Sequence, residues 1–197
     1  MNAKLLVLIA ICAVASPLAA QEPETLVRGR VTSGGFGGPA VRVTQLIGQT
    51  GIMMGGRGGW IINHRFVVGG GGYGVIGSGI DVPYTPTSGG RAYLTFGYGG
   101  LELQYFERPM KLVHLTFATL VGVGGAEYRQ GSGGQLTGSS TLFVVEPAAG
   151  VALNVTTKLR VNVGASYRYV SGVGLPGLVD RDLRGASASL GLDFGRF

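Results

Sequence analysis

The sequence predicts an all-β fold, an eight-stranded antiparallel up-and-down β-barrel, from three observations. Apolar and polar residues alternate with a period of two in one segment after another, which is typical of strands with one apolar and one polar face. Eight such segments occur, an even number, and most of their connections are alternately short and long. The last segment, 183–197, alternates toward a final phenylalanine, so we expect it to close the barrel against the first strand.

The composition fits one folded domain. Only 13% of the residues are charged, 45% are hydrophobic and 38 of 197 are glycine. The hydrophobic share is too high for a disordered chain, and the glycines follow no three-residue repeat of the collagen type. The formal net charge of +6 comes from dispersed basic residues, without the basic patch and interleaved aromatic residues that nucleic-acid binding requires.

The first twenty residues have the features of a secretory signal peptide. Lys4 precedes an apolar run, 5–14, and Leu18-Ala19-Ala20 supplies a small-residue cleavage site. The run is too short for a transmembrane helix, and cleavage removes Cys12, the single cysteine. The predicted organisation is a signal peptide at 1–20, a flexible periplasmic lead-in at 21–38 and the barrel at 39–197.

The eight predicted strands differ in how clearly their faces separate. The glycine run in the third leaves its facing ambiguous. In the fourth, the apolar parity changes between Tyr98 and Leu101, and a β-bulge at Gly99-Gly100 would bring both apolar sets to one face. The strands are expected at about 39–47, 51–62, 66–77, 91–106, 111–124, 141–155, 159–170 and 183–197.

The connections indicate which side of a membrane holds the termini. Those after strands two, four and six are short, whereas those at 78–90, 127–138 and 171–182 are longer. Outer-membrane barrels have short periplasmic turns and long external loops. We therefore expect a transmembrane barrel in the outer membrane of a Gram-negative bacterium, with both termini in the periplasm. The short connection at about 48–50 departs from this pattern.

The apolar faces are expected to contact lipid, because they carry almost no charge and because aromatic residues fall near the strand ends. Two aromatic girdles are typical of the two membrane interfaces. The predicted girdle residues are Trp60, Phe66, Tyr105 and Phe194 toward the turns, and Phe143, Tyr167 and Tyr169 toward the loops. The alternative is a soluble, lipocalin-like carrier whose apolar face points inward around a ligand.

Polar side chains are expected to plug the lumen, because an eight-stranded barrel is only wide enough for its own side chains. Residue numbers across the short turns predict that Glu102 lies beside His114 or Thr116, that Glu146 lies opposite Arg168, and that Asn154 lies opposite Arg160. At the seam, pairing Phe197 with Gly38 places Asp193 opposite Arg42. The predicted ion-pair network consists of Arg42, Asp193, Glu102, His114, Glu146, Arg168, Arg57 and Arg160.

No motif predicts catalytic, cofactor-binding or metal-binding residues. The run 69–74 is glycine-rich like a dinucleotide fingerprint, but no helical period follows it. Pairing of the fifth and sixth strands sets Glu146 opposite about Leu120 or Val121. His114 is then about 20 Å away along the strand, too far to act with Glu146 in an envelope-lipid hydrolase.

Segments 34–39, 55–64, 97–103 and 165–172 resemble a group of glycine-rich, secreted bacterial proteins described as outer-membrane β-barrel proteins. The strand layout is similar to that of the small outer-membrane protein A/X-type barrels. The resemblance implies a location and a fold, and it carries no established activity or catalytic residues.

The final Phe197 resembles the terminal signal by which outer-membrane barrels are assembled. The outward residues Leu190, Leu192 and Phe194 are out of phase with it, and a bulge at Gly195-Arg196 would restore the phase.

The expected function is that of a non-enzymatic integral outer-membrane protein with a structural or surface-interaction role. Its expected partners are outer-membrane lipid, lipopolysaccharide, the barrel-assembly machinery and an unidentified ligand of the external loops, and no cofactor is expected. A narrow channel for ions or very small solutes is the alternative. A lipid-binding carrier and an envelope-lipid enzyme are less favoured.

Overall fold

The computed structural model describes residues 31–77, 79–82, 92–130 and 136–197, so the predicted signal peptide at 1–20 and the first part of the lead-in lie outside the described residues. Residues 32–197 form one compact unit. Its elements are β1 (Ser33–Leu46), β2 (Gln49–Ile62), β3 (Phe66–Val75), β4 (Ile80–Val82), β5 (Ala92–Glu107), β6 (Val113–Gln130), β7 (Leu136–Asn154), β8 (Leu159–Ser171), the short helix α1 (Asp180–Leu183) and β9 (Gly185–Arg196).

The strands form a closed antiparallel barrel. Consecutive strands pair, except β3 with β4; in addition, β1 pairs with β9 and β3 pairs with β5. The short β4 pairs with β5 beyond the end of β3, after a break at which Gly77 and Gly79 have positive φ. Because β3 and β4 occupy one position in the ring, the predicted eight-stranded up-and-down barrel is confirmed.

β1 begins at Ser33, six residues before the predicted start of the barrel. Ser33 pairs with Ile62, so the glycine-rich stretch assigned to the lead-in is part of the sheet. A Cβ atom added to Gly38 would lie 1.7 Å from the carbonyl oxygen of Leu192. Glycine here therefore permits a close backbone approach at the seam, rather than marking a flexible segment.

The predicted β-bulge in the fourth barrel strand is absent. The pairing of β5 with β6 runs without a shift from Ala92 to Glu107. Leu94, Phe96 and Tyr98 therefore point inward, where they are 0%, 1% and 5% exposed. The apolar parity changes along this strand because these three side chains belong to the apolar cluster inside the barrel, whereas Leu101 and Leu103 point outward.

The two ends of the barrel differ. The end that we call the turn end carries the connections 63–65, 108–112 and 155–158, together with the start of β1 and the end of β9. The opposite end, the loop end, carries the remaining connections. β6 ends at Gln130 and β7 begins at Leu136, so both strands extend farther toward the loop end than predicted.

The interior is divided into layers. A large apolar cluster near the loop end includes Leu46, Met53, Phe96 and Leu142. A smaller one at the turn end consists of Phe36, Ile61, Val67 and Phe106, with Phe197 packed against it. Charged and polar side chains fill the space between the two clusters.

The connection between β8 and β9, residues 172–184, folds over the loop end, and we call it the mouth loop. It contributes Leu175, Leu178 and Leu183 to the apolar cluster. Its backbone accepts hydrogen bonds at Asp182 O from the Ile47 amide (2.8 Å) and at Pro176 O from the Tyr128 hydroxyl (3.1 Å). No helix among the described residues is long and apolar enough to cross a membrane.

Candidate functional site: the barrel interior and the surfaces around it

The structure places all eight predicted network residues on the inward faces of their strands. Arg57 is the most accessible, with 12% of its side chain exposed. The other seven are buried, between 0% and 7% exposed: Arg42, Glu102, His114, Glu146, Arg160, Arg168 and Asp193. The interior of the described strands thus holds four guanidinium groups and three carboxylates. The partners within this set differ from most of those predicted.

The first ion-pair cluster centres on Glu146 of β7. Its carboxylate lies 2.5 Å from Nη1 of Arg42 on β1 and accepts hydrogen bonds from the hydroxyl groups of Tyr98 and Ser166. The Arg42 guanidinium also donates to Tyr98 Oη (2.9 Å) and lies 3.5 Å from the centre of the Tyr73 ring. Every part of this carboxylate therefore has a donor, which a charge at this depth requires.

The second cluster centres on Arg57 of β2. Its Nη2 lies 2.8 Å from Oδ2 of Asp193, and its Nη1 lies 3.4 Å from Oε1 of Glu102. Asn162 donates a further hydrogen bond to Asp193. Gly71 faces Arg57 across the β2–β3 pair, and a Cβ atom there would lie 3.0 Å from the Glu102 carboxylate. Because glycine has no side chain, Gly71 leaves space for the Arg57 and Glu102 side chains to meet.

Two predicted pairs are wrong because the strand register is shifted. Asp193 lies away from Arg42, since β1 pairs with β9 four residues out of the predicted phase, with Arg42 opposite Ser189. Glu102 lies opposite Leu120 rather than beside His114 or Thr116, because the β5–β6 turn is centred farther along the chain. His114 instead stands edge-on to Phe106, with ring centres 5.8 Å apart.

The pair predicted between Glu146 and Arg168 has the right backbone register but no salt bridge among the described residues. Val145 lies opposite Tyr169, as expected. The Arg168 side chain, however, runs toward the loop end, where it donates to the carbonyl oxygens of Leu183 (2.8 Å) and Gln45 (3.1 Å). These hydrogen bonds therefore connect the mouth loop to the loop end of β1.

Arg160 lies opposite Asn154, in the predicted register, and its Nε donates to Asn154 Oδ1 at 2.6 Å. Its guanidinium lies 3.9 Å from the centre of the Phe197 ring and 5.0 Å from that of Phe106. The predicted bulge at Gly195-Arg196 is absent, because both residues keep the register of the β1–β9 pair. Phe197 therefore packs across the turn end of the lumen, whereas Phe194 points outward and is 52% exposed.

The sequence reasoning missed the aromatic and hydroxyl partners of the charges. Tyr98 and Ser166 share the inward parity of Glu102 and Arg168 on their own strands. That parity indicates that both hydroxyl groups point inward. For Tyr98, the predicted bulge at Gly99-Gly100 would reverse this conclusion. Nothing in the local sequence pattern indicated that the leucines of the mouth loop would enter the barrel.

A cavity of about 50 Å3 remains among the polar side chains. Arg42, Gln104 and Asn162 line it, and each has a buried polar atom without a hydrogen-bond partner among the described residues: Nε, Oε1 and Oδ1, respectively. A cavity of this size and polarity holds a few water molecules. It is far too small for an organic solute.

The outward face of the described strands is apolar. Most of its large hydrophobic side chains are 38% to 62% exposed, including Leu101, Val123, Val163 and Leu192. Among the described residues, charged side chains occur on this face only at strand ends and on the short β4: Asp81, Glu107, Glu127, Arg129 and Arg196.

The predicted girdle residues all lie on this outward face. Six of them are near the end of their own strand, whereas Phe143 is in the middle of β7, opposite Ser171 at the end of β8. The Phe66 and Tyr105 rings are 5.3 Å apart at the turn end, and those of Tyr167 and Tyr169 are 4.8 Å apart toward the loop end.

The described residues contain no group of three or more His, Cys, Asp or Glu side chains that could hold a metal ion. Glu146 lies opposite Leu120, as predicted, six residues along β6 from His114. These two residues are therefore not arranged to act together in catalysis.

Comparisons with known proteins agree with this architecture at the level of the fold. No protein-family model matches the chain, and a search of curated proteins finds no match. Neisserial surface protein A (NspA) is 16% identical, with a TM-score of 0.60 over 84% of this chain and 99% of that one. The N-terminal β-barrel domain of OprF from Pseudomonas aeruginosa is 11% identical, with a TM-score of 0.51 over 83% of this chain and 96% of that one. The chain therefore has the fold of the small outer-membrane β-barrels.

Proposed function

We propose that the protein is an integral outer-membrane β-barrel with a structural or surface-interaction role and a plugged, ion-paired lumen. The observation that carries this proposal is the distribution of polarity. The outward face lacks charge between the strand ends, while four guanidinium groups and three carboxylates lie inside. A soluble carrier requires the opposite arrangement, with an apolar pocket inside and a polar surface.

The likeness in fold to outer-membrane barrels supports the same location. The turn end would face the periplasm and the loop end the outside, as in barrels with short periplasmic turns. Phe143, Tyr167 and Tyr169 would then lie at the outer interface, and Trp60, Phe66, Tyr105 and Phe194 at the inner one. We further propose that the outer end contacts lipopolysaccharide.

The proposed location has a direct test. Protein extracted from membranes in detergent is run on a gel with and without boiling, since a closed barrel resists the detergent and migrates differently until it is heated. We expect two mobilities and a requirement for detergent during extraction. A protein that is released by salt alone and migrates at one position would contradict the proposal.

A plugged lumen is favoured by three features of the interior. The mouth loop places leucines over the loop end, Phe197 and Phe106 lie across the turn end, and the cavity between holds only about 50 Å3. The alternative, a narrow channel, would require the mouth loop to leave the barrel. Purified protein in a planar bilayer is expected to give no discrete current steps, and regular steps with the unmodified chain would favour the channel.

Assembly is proposed to depend on the outward end of β9, recognised by the barrel-assembly machinery. Leu190, Leu192 and Phe194 form a continuous outward stripe, each 38% to 52% exposed. Because Phe197 packs into the interior, we propose that Phe194 supplies the outward aromatic ring. Phe194→Ser should reduce the amount of folded barrel in cells more than Phe197→Ser does, and the opposite order would refute this assignment.

No enzymatic role is proposed. Expression of the protein should leave the mass spectrum of lipid A unchanged, and a shifted lipid A mass would point to an enzyme.

A further inference from the structure

The charges on the described residues are unequally distributed between the two ends of the barrel. At the turn end, five basic residues are accompanied by a single acidic one, Glu107; the basic residues are Arg65, Arg108, Lys111, Lys158 and Arg196. At the loop end, four acidic residues are accompanied by three basic ones: Asp81, Glu127, Asp180 and Asp182 with Arg129, Arg181 and Arg184. The turn end is therefore the strongly basic end of the described barrel.

Three of these basic residues surround one cleft. The turns 63–65 and 108–112 are adjacent because β3 pairs with β5, and the Phe106 amide donates to the carbonyl oxygen of Arg65 at 2.8 Å. Between them lies a cleft of about 480 Å3, lined in part by Arg65, Arg108 and Lys111. All three residues are exposed. We call this site the basic cleft.

The basic cleft is poorly compensated by acid. Glu107 lies 3.5 Å from Nε of Arg108, but the two side chains are 40% and 77% exposed, so the contact is screened by solvent. The Glu107 carboxylate also accepts a hydrogen bond from Tyr105 at 2.9 Å. Arg65 and Lys111 have no salt bridge among the described residues. The cleft thus presents cationic donors to an anion.

Apolar groups adjoin the basic cleft on the outward side. Met110 and Leu112 of the same turn are 70% and 67% exposed, the highest values among the large hydrophobic side chains described. Trp60 and Phe66 lie just along the barrel wall and are 55% and 41% exposed. A ligand that satisfied both surfaces would have an anionic head and an apolar tail.

We propose that the basic cleft binds the headgroup of an anionic phospholipid from the leaflet that surrounds the turn end. The phosphate accepts hydrogen bonds from Arg65, Arg108 and Lys111, and the acyl chains lie against Trp60 and Phe66. This assignment rests on the proposed membrane location. It states that the barrel prefers anionic phospholipids in the leaflet around the turn end. Basic side chains at a membrane surface attract anionic lipid in this way.

Trp60 provides the test, because it is the single tryptophan of the chain and lies two residues before the end of β2, which the turn 63–65 connects to β3. Purified protein is refolded into phosphatidylcholine vesicles that contain increasing fractions of phosphatidylglycerol or phosphatidylcholine with brominated acyl chains. Bromine quenches tryptophan fluorescence at short range, so the two quenching curves give the relative affinity for the two headgroups. We expect a preference for phosphatidylglycerol of about fivefold at low salt, about the effect of one basic residue at an anionic surface, and a smaller preference at high salt.

A pair of matched variants shows whether the cleft is responsible. Arg65→Gln/Arg108→Gln leaves only Lys111 in the cleft and should lower the preference, whereas Arg129→Gln/Arg181→Gln removes two exposed charges at the other end and should leave it unchanged. Both proteins are first checked for heat-dependent gel mobility, so that misfolding is not mistaken for lost binding. Equal quenching by the two lipids in the unmodified protein, or an unchanged preference in the cleft variant, would overturn the inference while leaving the membrane barrel intact. Absence of quenching by either lipid would instead count against the membrane location itself.

Discussion

Removal of the Glu146 carboxylate should destabilise the barrel strongly. Glu146→Ala leaves the Arg42 guanidinium, whose side chain is only 9% exposed, without its carboxylate. It also removes the acceptor of the Tyr98 and Ser166 hydroxyl groups. Breaking a buried ion pair in this one-sided way costs about 3–5 kcal/mol. We therefore expect the free energy of unfolding to fall by that amount, through an unpaired charge rather than through lost volume.

The measurement is urea-induced unfolding in lipid vesicles, followed by the fluorescence of Trp60. Glu127→Ala provides the control, because Glu127 and its partner Arg129 have side chains that are 37% and 44% exposed, and an exposed pair contributes only about 0–1 kcal/mol.

The double variant Arg42→Met/Glu146→Leu separates charge from packing. It removes both partners, and we expect it to be more stable than Glu146→Ala, since apolar replacement of a whole buried pair is often close to neutral. A loss below about 1 kcal/mol for Glu146→Ala alone, or a double variant less stable than the single one, would refute the claim that this contact supports the barrel.

Three further outcomes are expected. Asp193→Ala should lower the temperature at which the folded gel band disappears, because Arg57 loses the partner 2.8 Å from its Nη2, and an unchanged temperature would count against this contact. Leu183→Ala, at a fully buried position, should make the mouth loop more sensitive to added protease, since truncating a buried leucine costs about 2–5 kcal/mol; equal cleavage rates would show that the leucine does not hold the loop. Phe197→Ala should lower the free energy of unfolding in urea by about 0.5–2 kcal/mol, the range for a cation–π contact such as the one with Arg160. Phe197→Tyr keeps an aromatic ring and should lower it much less.

The sequence was sufficient for features that depend on local patterns. Period-two alternation predicts the eight barrel strands and the outward faces of most of them, because a lipid-facing strand has to be apolar at every second residue. It leaves the facing of the glycine-rich third strand ambiguous, and its prediction for residues 94–98 of the fourth is wrong. The short turn after Asn154 also gave the right register, so that Arg160 was placed opposite Asn154.

Contacts that depend on distant strands were less predictable. The partner of Arg42 depends on the register between β1 and β9. The predicted register at that seam is wrong by four residues, and Asp193 pairs with Arg57 instead of Arg42. Arg168 shows a second difficulty. Its backbone position was correct, but its long side chain points toward the mouth loop, a segment whose folded position has no periodic signal in the sequence.

The ion pairs of the interior connect strands that are not neighbours in the sheet. Arg42 of β1 meets Glu146 of β7, while Arg57 of β2 meets both Asp193 of β9 and Glu102 of β5. No single hairpin contains both members of a pair. The contacts of Arg42 with Glu146 and of Arg57 with Asp193 join strands on opposite sides of the seam between β1 and β9, so they form only when the sheet curves round and its two edges join. A partly formed sheet carries the same charges without their partners and gains none of this free energy. Closure should therefore be cooperative, with open intermediates too costly to accumulate.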